Sequence, residues 1–379
     1  MSKGPGAVEV LGGASVGLVA VGATATVLAR RFAAFRRRDA EADVVFGRVQ
    51  AAATEDVRAD AVLTEDGLPL HVEQIGPDGA SLTVVFIHGY TLNSGSWHYQ
   101  RQEFAPLVGP SLRLLFYDQR GHGASGWGDP ERGTIDQIAD DLATVLDERV
   151  PTGRIVMIGH SMGGMAIMGL AERRAEMFGP RVVGVALLST STGNLAEVGF
   201  GMPQAITGLS TAVLPVIAKL ARQRPQIAEH TRRLGKDIAF LATKRMTFSG
   251  RDVTPGLPSY VDRMIASTPA DVIGAFFPAL AGMDKSGVLG PLENVATLIL
   301  CGDADRTTPK GHSEALAERL PDAELVIVED AGHLALMERP DVVNVHLREF
   351  LRRCARRRAR AALKLVVSDH TAAGQHEAG

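Results

Sequence analysis

The 379-residue chain is 45% hydrophobic and 22% charged, the composition of a globular protein with enough apolar material for a large core or two. A formal charge of −3 supplies no global field for nucleic acid or for a strongly charged partner. Two cysteines, Cys301 and Cys354, give neither metal-ligand spacing nor a disulfide framework, and free thiols fit a reducing compartment.

Val10 to Ala29 carries no charge, and a helix of roughly 20 residues crosses a bilayer. Residues 1–30 are therefore expected to be a membrane anchor. Arg30, Arg31, Arg36, Arg37 and Arg38 follow it, whereas Lys3 and Glu9 cancel on the other side, so a spanning segment places the rest of the chain on the cytoplasmic face of a plasma or inner membrane. Two other readings stay open. One is a cleaved signal cut near Ala23-Thr24-Ala25 and hence a secreted protein, against which the basic cluster lies on the wrong side; the other is a soluble or peripheral segment.

Residues 31–56 read as a basic-then-acidic connector, and a globular domain starts near Val57. Val57–Leu63 and Leu68–Ile75 are strands around the turn residues Asp66-Gly67. Thr83–Ile87, Leu112–Tyr117, Arg154–Ile158 and Arg181–Leu188 are short apolar runs typical of buried parallel strands. Between them, Ile135–Leu146 has a helical apolar face, and Met165–Glu172 is helix-forming. Alternating strands and helices over 57–191 predict an α/β fold with a mostly parallel twisted sheet covered on both faces.

The alternation breaks at residues 192–292, a helical, proline-punctuated stretch read as a cap inserted before the last two strands, over the sheet edge where ligands bind. Its Phe200, Phe240, Phe248, Phe276 and Phe277 suit either a hydrophobic substrate or the cap's own core. Residues 293–352 resume the pattern with strands at Ala296–Leu300 and Glu324–Val328, a helix at Gly311–Leu320, and a last helix opened by Pro340. Residues 353–379 form a basic tail whose arginines make a solvated face, or lie on anionic lipid if the anchor spans.

One stretch carries chemistry. Gly159-His160-Ser161-Met162-Gly163 sits between a strand and a helix, the setting that forces a serine onto a sharp turn with its hydroxyl exposed above a helix N-terminus. Such a serine needs an imidazole to take its proton and an acid to orient that imidazole. Two loops at the same sheet edge offer them: Gly302-Asp303-Ala304-Asp305, with two candidate acids, and Gly332-His333.

Together with His88-Gly89, the Asp118-x-Arg120-Gly121-x-Gly123-x-Ser125 loop and Glu338 and Pro340 beyond His333, these motifs resemble the α/β-hydrolase fold superfamily, in its lid-bearing branch of serine esterases, C–C hydrolases and cofactor-free haloperoxidase-like proteins. The resemblance covers residues 57–352. It implies Ser161 as nucleophile, His333 as base and then acid, and Asp305 rather than Asp303 as the orienting carboxylate. It further implies an oxyanion hole from the backbone N–H groups of Tyr90 and Met162, braced by His88, Gly89, Gly159 and Gly163. His160 is expected to pack or hydrogen-bond within the elbow, and Asp118, Arg120 and His122 to form a structural turn.

The implied activity is hydrolysis of an ester, thioester or lactone of a hydrophobic small molecule through an acyl-enzyme. C–C bond hydrolysis or perhydrolysis on the same triad is the second reading, and a catalytically silent membrane-tethered binding protein the third. No metal, nucleotide or other cofactor motif occurs in the sequence.

Overall fold

The structure, a computed structural model, describes residues 57–195, 245–250 and 253–373, with side chains up to residue 356. The Val10–Ala29 segment, the connector and the first half of the insertion, with Phe200 and Phe240, lie outside the described residues. Among the described residues no single helix is long and apolar enough to cross a membrane.

Strands β1 (Arg58–Leu63) and β2 (Pro69–Ile75) form the expected hairpin, Leu63 facing Pro69. The turn closes through Gly67 N–H donating to Thr64 O at 2.8 Å, with Gly67 in the left-handed region at φ +77°. Six further strands follow: β3 (Leu82–Ile87), β4 (Leu112–Tyr117), β5 (Arg154–His160), β6 (Val182–Leu188), β7 (Ala296–Gly302) and β8 (Glu324–Val328). They complete an eight-stranded sheet in the order β1-β2-β4-β3-β5-β6-β7-β8, antiparallel at β1, β2 and β4 and parallel from β4 to β8.

Every residue of β3 is buried, which is why that segment is continuously apolar instead of alternating. Successive side chains serve opposite faces. Val85, Ile87, Met157 and Leu187 join one core with helices α2 (Ile135–Arg149), α3 (Met162–Arg173) and α6 (Lys310–Arg319). Val84, Phe86, Ile158 and Leu188 join the other with α1 (His98–Phe104), α7 (Ala335–Glu338) and α8 (Pro340–Ala373), where Phe86 and Phe116 stack at 4.6 Å. The last helix thus continues from the core without a break into the basic C-terminal segment. The helix after Ser161 begins at Met162, three residues earlier than its propensity suggests, because the two glycines at 163 and 164 are already in the helix.

The described part of the insertion carries α4 (Leu257–Ser267) and α5 (Ala270–Ala281), bent 95° to each other. Tyr260, Val261 and Met264 of α4 belong to one core and Val272, Phe276 and Leu280 of α5 to the other, so the pair straddles the sheet edge. Phe248 and Phe276 are fully buried: of the described cap phenylalanines these two are core, not substrate wall.

Candidate active site

The elbow follows from sterics. Ser161 has φ +51° and ψ −117°, a strained conformation for a side-chain-bearing residue, held by its N–H donating to Leu188 O of β6 at 2.9 Å. Its carbonyl accepts from Gly164 N–H at 2.9 Å and from Thr190 Oγ1–H at 2.7 Å. A Cβ on Gly159 would lie 2.6 Å from the Gly163 carbonyl carbon, and one on Gly163 would lie 2.2 Å from Ile87 O. Neither position admits a side chain without opening the turn.

Parallel strands send their following loops to one edge, and the loops after β7 and β8 meet there. His333 Nδ1 lies 2.9 Å from Asp305 Oδ2 and 3.1 Å from Oδ1. The carboxylate, with a fully buried side chain, also accepts from the Thr307 and Thr308 N–H groups, both at 2.9 Å, and from Thr308 Oγ1–H at 2.9 Å. Burial alone would raise its pKa, but the His333 charge and hydrogen bond, with the Thr308 donors, outweigh burial and leave it below the usual value. Asp303 is instead exposed and accepts from Ala331 N–H at 3.3 Å. With Nδ1–H spent on Asp305, a neutral His333 presents its Nε2 lone pair on the other side of the ring.

The turn holding His333 has its own support. Glu338 Oε1 accepts from Gly332 N–H at 2.5 Å, and its Oε2 accepts from Ser249 N–H and Oγ–H at 2.8 and 2.7 Å. Burial raises the Glu338 carboxyl against those donors. His160 Nε2 lies 3.0 Å from the His333 carbonyl.

His88 hydrogen-bonds to the loop after β3 and to the loop after β4. The His88 Nδ1–H donates to Gly89 O at 2.8 Å, while Nε2 accepts from Gln119 N–H at 2.9 Å, a neutral tautomer with both nitrogens spent. Burial pushes its pKa down to about 4. Among the described residues neither the Tyr90 nor the Met162 N–H donates a hydrogen bond, so both remain available to a ligand. The Tyr90 hydroxyl donates to Ile273 O of α5 at 2.6 Å. Asp118 accepts from Ser94 and Ala124 N–H, and buried Arg120 forks onto Asp141 at 2.6 and 2.7 Å, so that loop is structural.

Tyr90, His160, Ser161 and His333 line one cavity of about 240 Å³, roofed by Val261, Ile265 and Phe277. Ser161 is 8% exposed and Phe277 42%. Among the described residues no cluster of three or more His, Cys, Asp or Glu side chains is placed to hold a metal ion.

The family model described as "Alpha/beta hydrolase family" matches residues 84–345. The chain belongs to the alpha/beta hydrolase family. Among curated proteins it is 24% identical over 287 residues to the dihydrolipoyllysine-residue acetyltransferase component of the acetoin cleaving system of Pseudomonas putida, covering 74% of this chain and 66% of that protein. It is 36% identical over 109 residues to the lipase LipV of Mycobacterium tuberculosis, covering 29% of this chain and 38% of the lipase. The chain thus spans less than two thirds of the length of either relative. Among solved structures, a thermophilic esterase from Thermogutta terrifontis superposes with a TM-score of 0.59 at 27% identity, covering 78% of this chain and 99% of that one.

Sequence reasoning missed several residues of this alpha/beta hydrolase site. Thr190, Thr307 and Thr308 carry no motif; Thr190 reaches the elbow from the loop after β6, while Thr307 and Thr308 reach Asp305 from within its own loop. Glu338 was visible as part of the resemblance, but not its grip on Gly332 and Ser249.

Proposed function

We propose that this hydrolase cleaves an ester, thioester or lactone of a hydrophobic small molecule by serine catalysis. The observation that carries the reading is a strained serine on the same cavity as an imidazole whose far nitrogen is held by a buried carboxylate. His333 Nε2 takes the proton of Ser161 Oγ as that oxygen attacks the substrate carbonyl. The Tyr90 and Met162 N–H groups receive the charge that develops on the carbonyl oxygen, and His333 returns the proton to the departing alcohol or thiol. Water then adds to the acyl carbon and loses a proton to His333, which returns it to Ser161 Oγ as the acyl–Oγ bond breaks and the acid departs. Asp305 holds the imidazole in the required tautomer and offsets its charge. The apolar cavity roof and the lipase and esterase relatives support a hydrophobic acyl or alcohol group.

The reading is tested by a fluorophosphonate probe and a series of p-nitrophenyl esters. Labelling confined to Ser161, with hydrolysis of medium-chain esters, is the expected result; undiminished labelling of Ser161→Ala overturns it. We also propose that Val10–Ala29 anchors the enzyme to a membrane with the catalytic domain cytoplasmic. Recovery of the full chain wholly in the soluble fraction, without a high-salt wash, refutes that.

A further inference from the structure

Among the described residues, His160 is the one buried polar side chain lining the cavity to which the serine mechanism assigns no step. Its place in the sheet is fixed: it ends β5 and pairs with Leu188 of β6. The imidazole touches three loops at once. Ser161 is its chain neighbour; a Cβ on Gly89 would come within 2.6 Å of its Nδ1, so the ring packs on the backbone of the loop bearing Tyr90. Its Nε2 meets the His333 carbonyl at 3.0 Å, with the two rings 4.9 Å apart.

The third contact matters because of topology. His333 follows β8, and β6 and β7 separate β8 from β5. With strands about 4.8 Å apart, the His333 turn must reach back across roughly 14 Å of sheet edge to arrive over Ser161. Asp305, from the β7 loop, fixes the imidazole but ties it to β7. Among the described hydrogen bonds, the one from His160 ties the turn to β5, the strand that carries the serine.

We propose, on the basis of the serine-hydrolase reading, that His160 is a positioning residue whose Nε2–H sets the distance between His333 and Ser161 while its ring spaces the Tyr90 loop. A carbonyl only accepts, so Nε2 must carry the proton and the neutral ring leaves Nδ1 bare. Nδ1 is buried without a partner among the described residues, so a proton placed there would have no acceptor. Burial, with the neighbouring His333 charge, pushes the His160 pKa down to about 3, which keeps the ring neutral at working pH.

Glutamine places an amide N–H close to the position of Nε2; leucine fills space without one. Expected is His160→Gln within about fivefold of the parent in kcat, and His160→Leu down about 100-fold in kcat with KM little changed, the scale of an ångström-sized misplacement. Fluorophosphonate inactivation should slow in parallel. Equal losses in both variants, or labelling of His160→Leu as fast as the parent, overturn the inference. If the parent itself does not label, it is the serine reading that fails. Where His160→Leu does not fold, long-range ¹H–¹⁵N spectra of the parent decide: protonation of His160 at Nε2 is expected between pH 6 and 8, and protonation at Nδ1 refutes the bond.

Discussion

The floor and the roof of the cavity are built differently. Floor residues sit at or just after strand ends, and apart from His160 Nδ1 their polar groups have defined partners: Asp305 has two threonines and His333, His88 has Gly89 and Gln119, and Glu338 has Gly332 and Ser249. The roof rests on apolar packing, with Val261 and Ile265 of α4 and Phe277 of α5 over the site. Polar ties described between α4 or α5 and the rest include the Tyr90 hydroxyl to Ile273 O, Trp127 Nε1–H to Asp271 Oδ2 at 2.9 Å, Tyr260 Oη to Gly95 O at 3.1 Å and Thr268 Oγ1 to Thr91 O at 3.3 Å. A buried group with defined partners tolerates little change, whereas an apolar wall changes in proportion to the area lost. The floor should therefore set whether the enzyme turns over, and the roof what it accepts.

The largest expected effects lie in the floor. Ser161→Ala should remove fluorophosphonate labelling and lower ester hydrolysis by about 10⁴-fold or more, with an unchanged melting temperature as the check on folding. Asp305→Asn should cost on the order of 10⁴-fold in kcat, while Asp303→Asn stays within about twofold. Comparable losses at both aspartates would erase the distinction between the buried and the exposed carboxylate.

Acid should loosen the floor next. His88, His122 and His160 are pushed by burial to about 4, 3 and 3, with the His88 and His333 charges adding to the effect at His122 and His160 respectively. In the unfolded chain they titrate near 6.5, so below that pH the unfolded state binds more protons. The stabilisation is complete above pH 6.5 and is lost as pH falls toward the folded values, by up to about 1.4 kcal/mol per pH unit for each histidine. A urea midpoint clearly lower at pH 5 than at pH 7.5 is expected; equal midpoints would mean the three rings are not buried neutral.

Changes in the roof should be smaller and selective. Phe277→Ala should reduce kcat/KM about tenfold on an octanoyl ester, the scale of losing one apolar side-chain contact, and less on an acetyl ester. A uniform loss across chain lengths would place Phe277 outside the acyl site. Tyr90→Phe keeps the backbone N–H and removes only the tie to Ile273, so a loss of no more than about tenfold in kcat/KM is expected, of the order of one neutral hydrogen bond.

The same division explains what could be read from residue order. Eight strands, the mostly parallel sense of their sheet and the strand-Ser161-helix elbow were legible because β-branched runs, glycine spacing and turn residues act within a few residues of one another. Gly159 and Gly163 are short-range signals of this kind: the chain cannot make that turn with a side chain at either place. Helix α1 and the four-residue α7 were not legible, being short segments stabilised by packing against α8 and the sheet.

Residue order by itself determined the fold class, the edge at which chemistry gathers, and the serine, histidine and pair of aspartates brought to it. Only the tertiary structure decided which aspartate meets the imidazole, which phenylalanines are core and which faces the cavity, and that His160 reaches His333. The reason is distance along the chain. Asp305 and His333 are 28 residues apart and His160 and His333 are 173 apart, so whether they touch depends on how loops from different strands fold back over one edge.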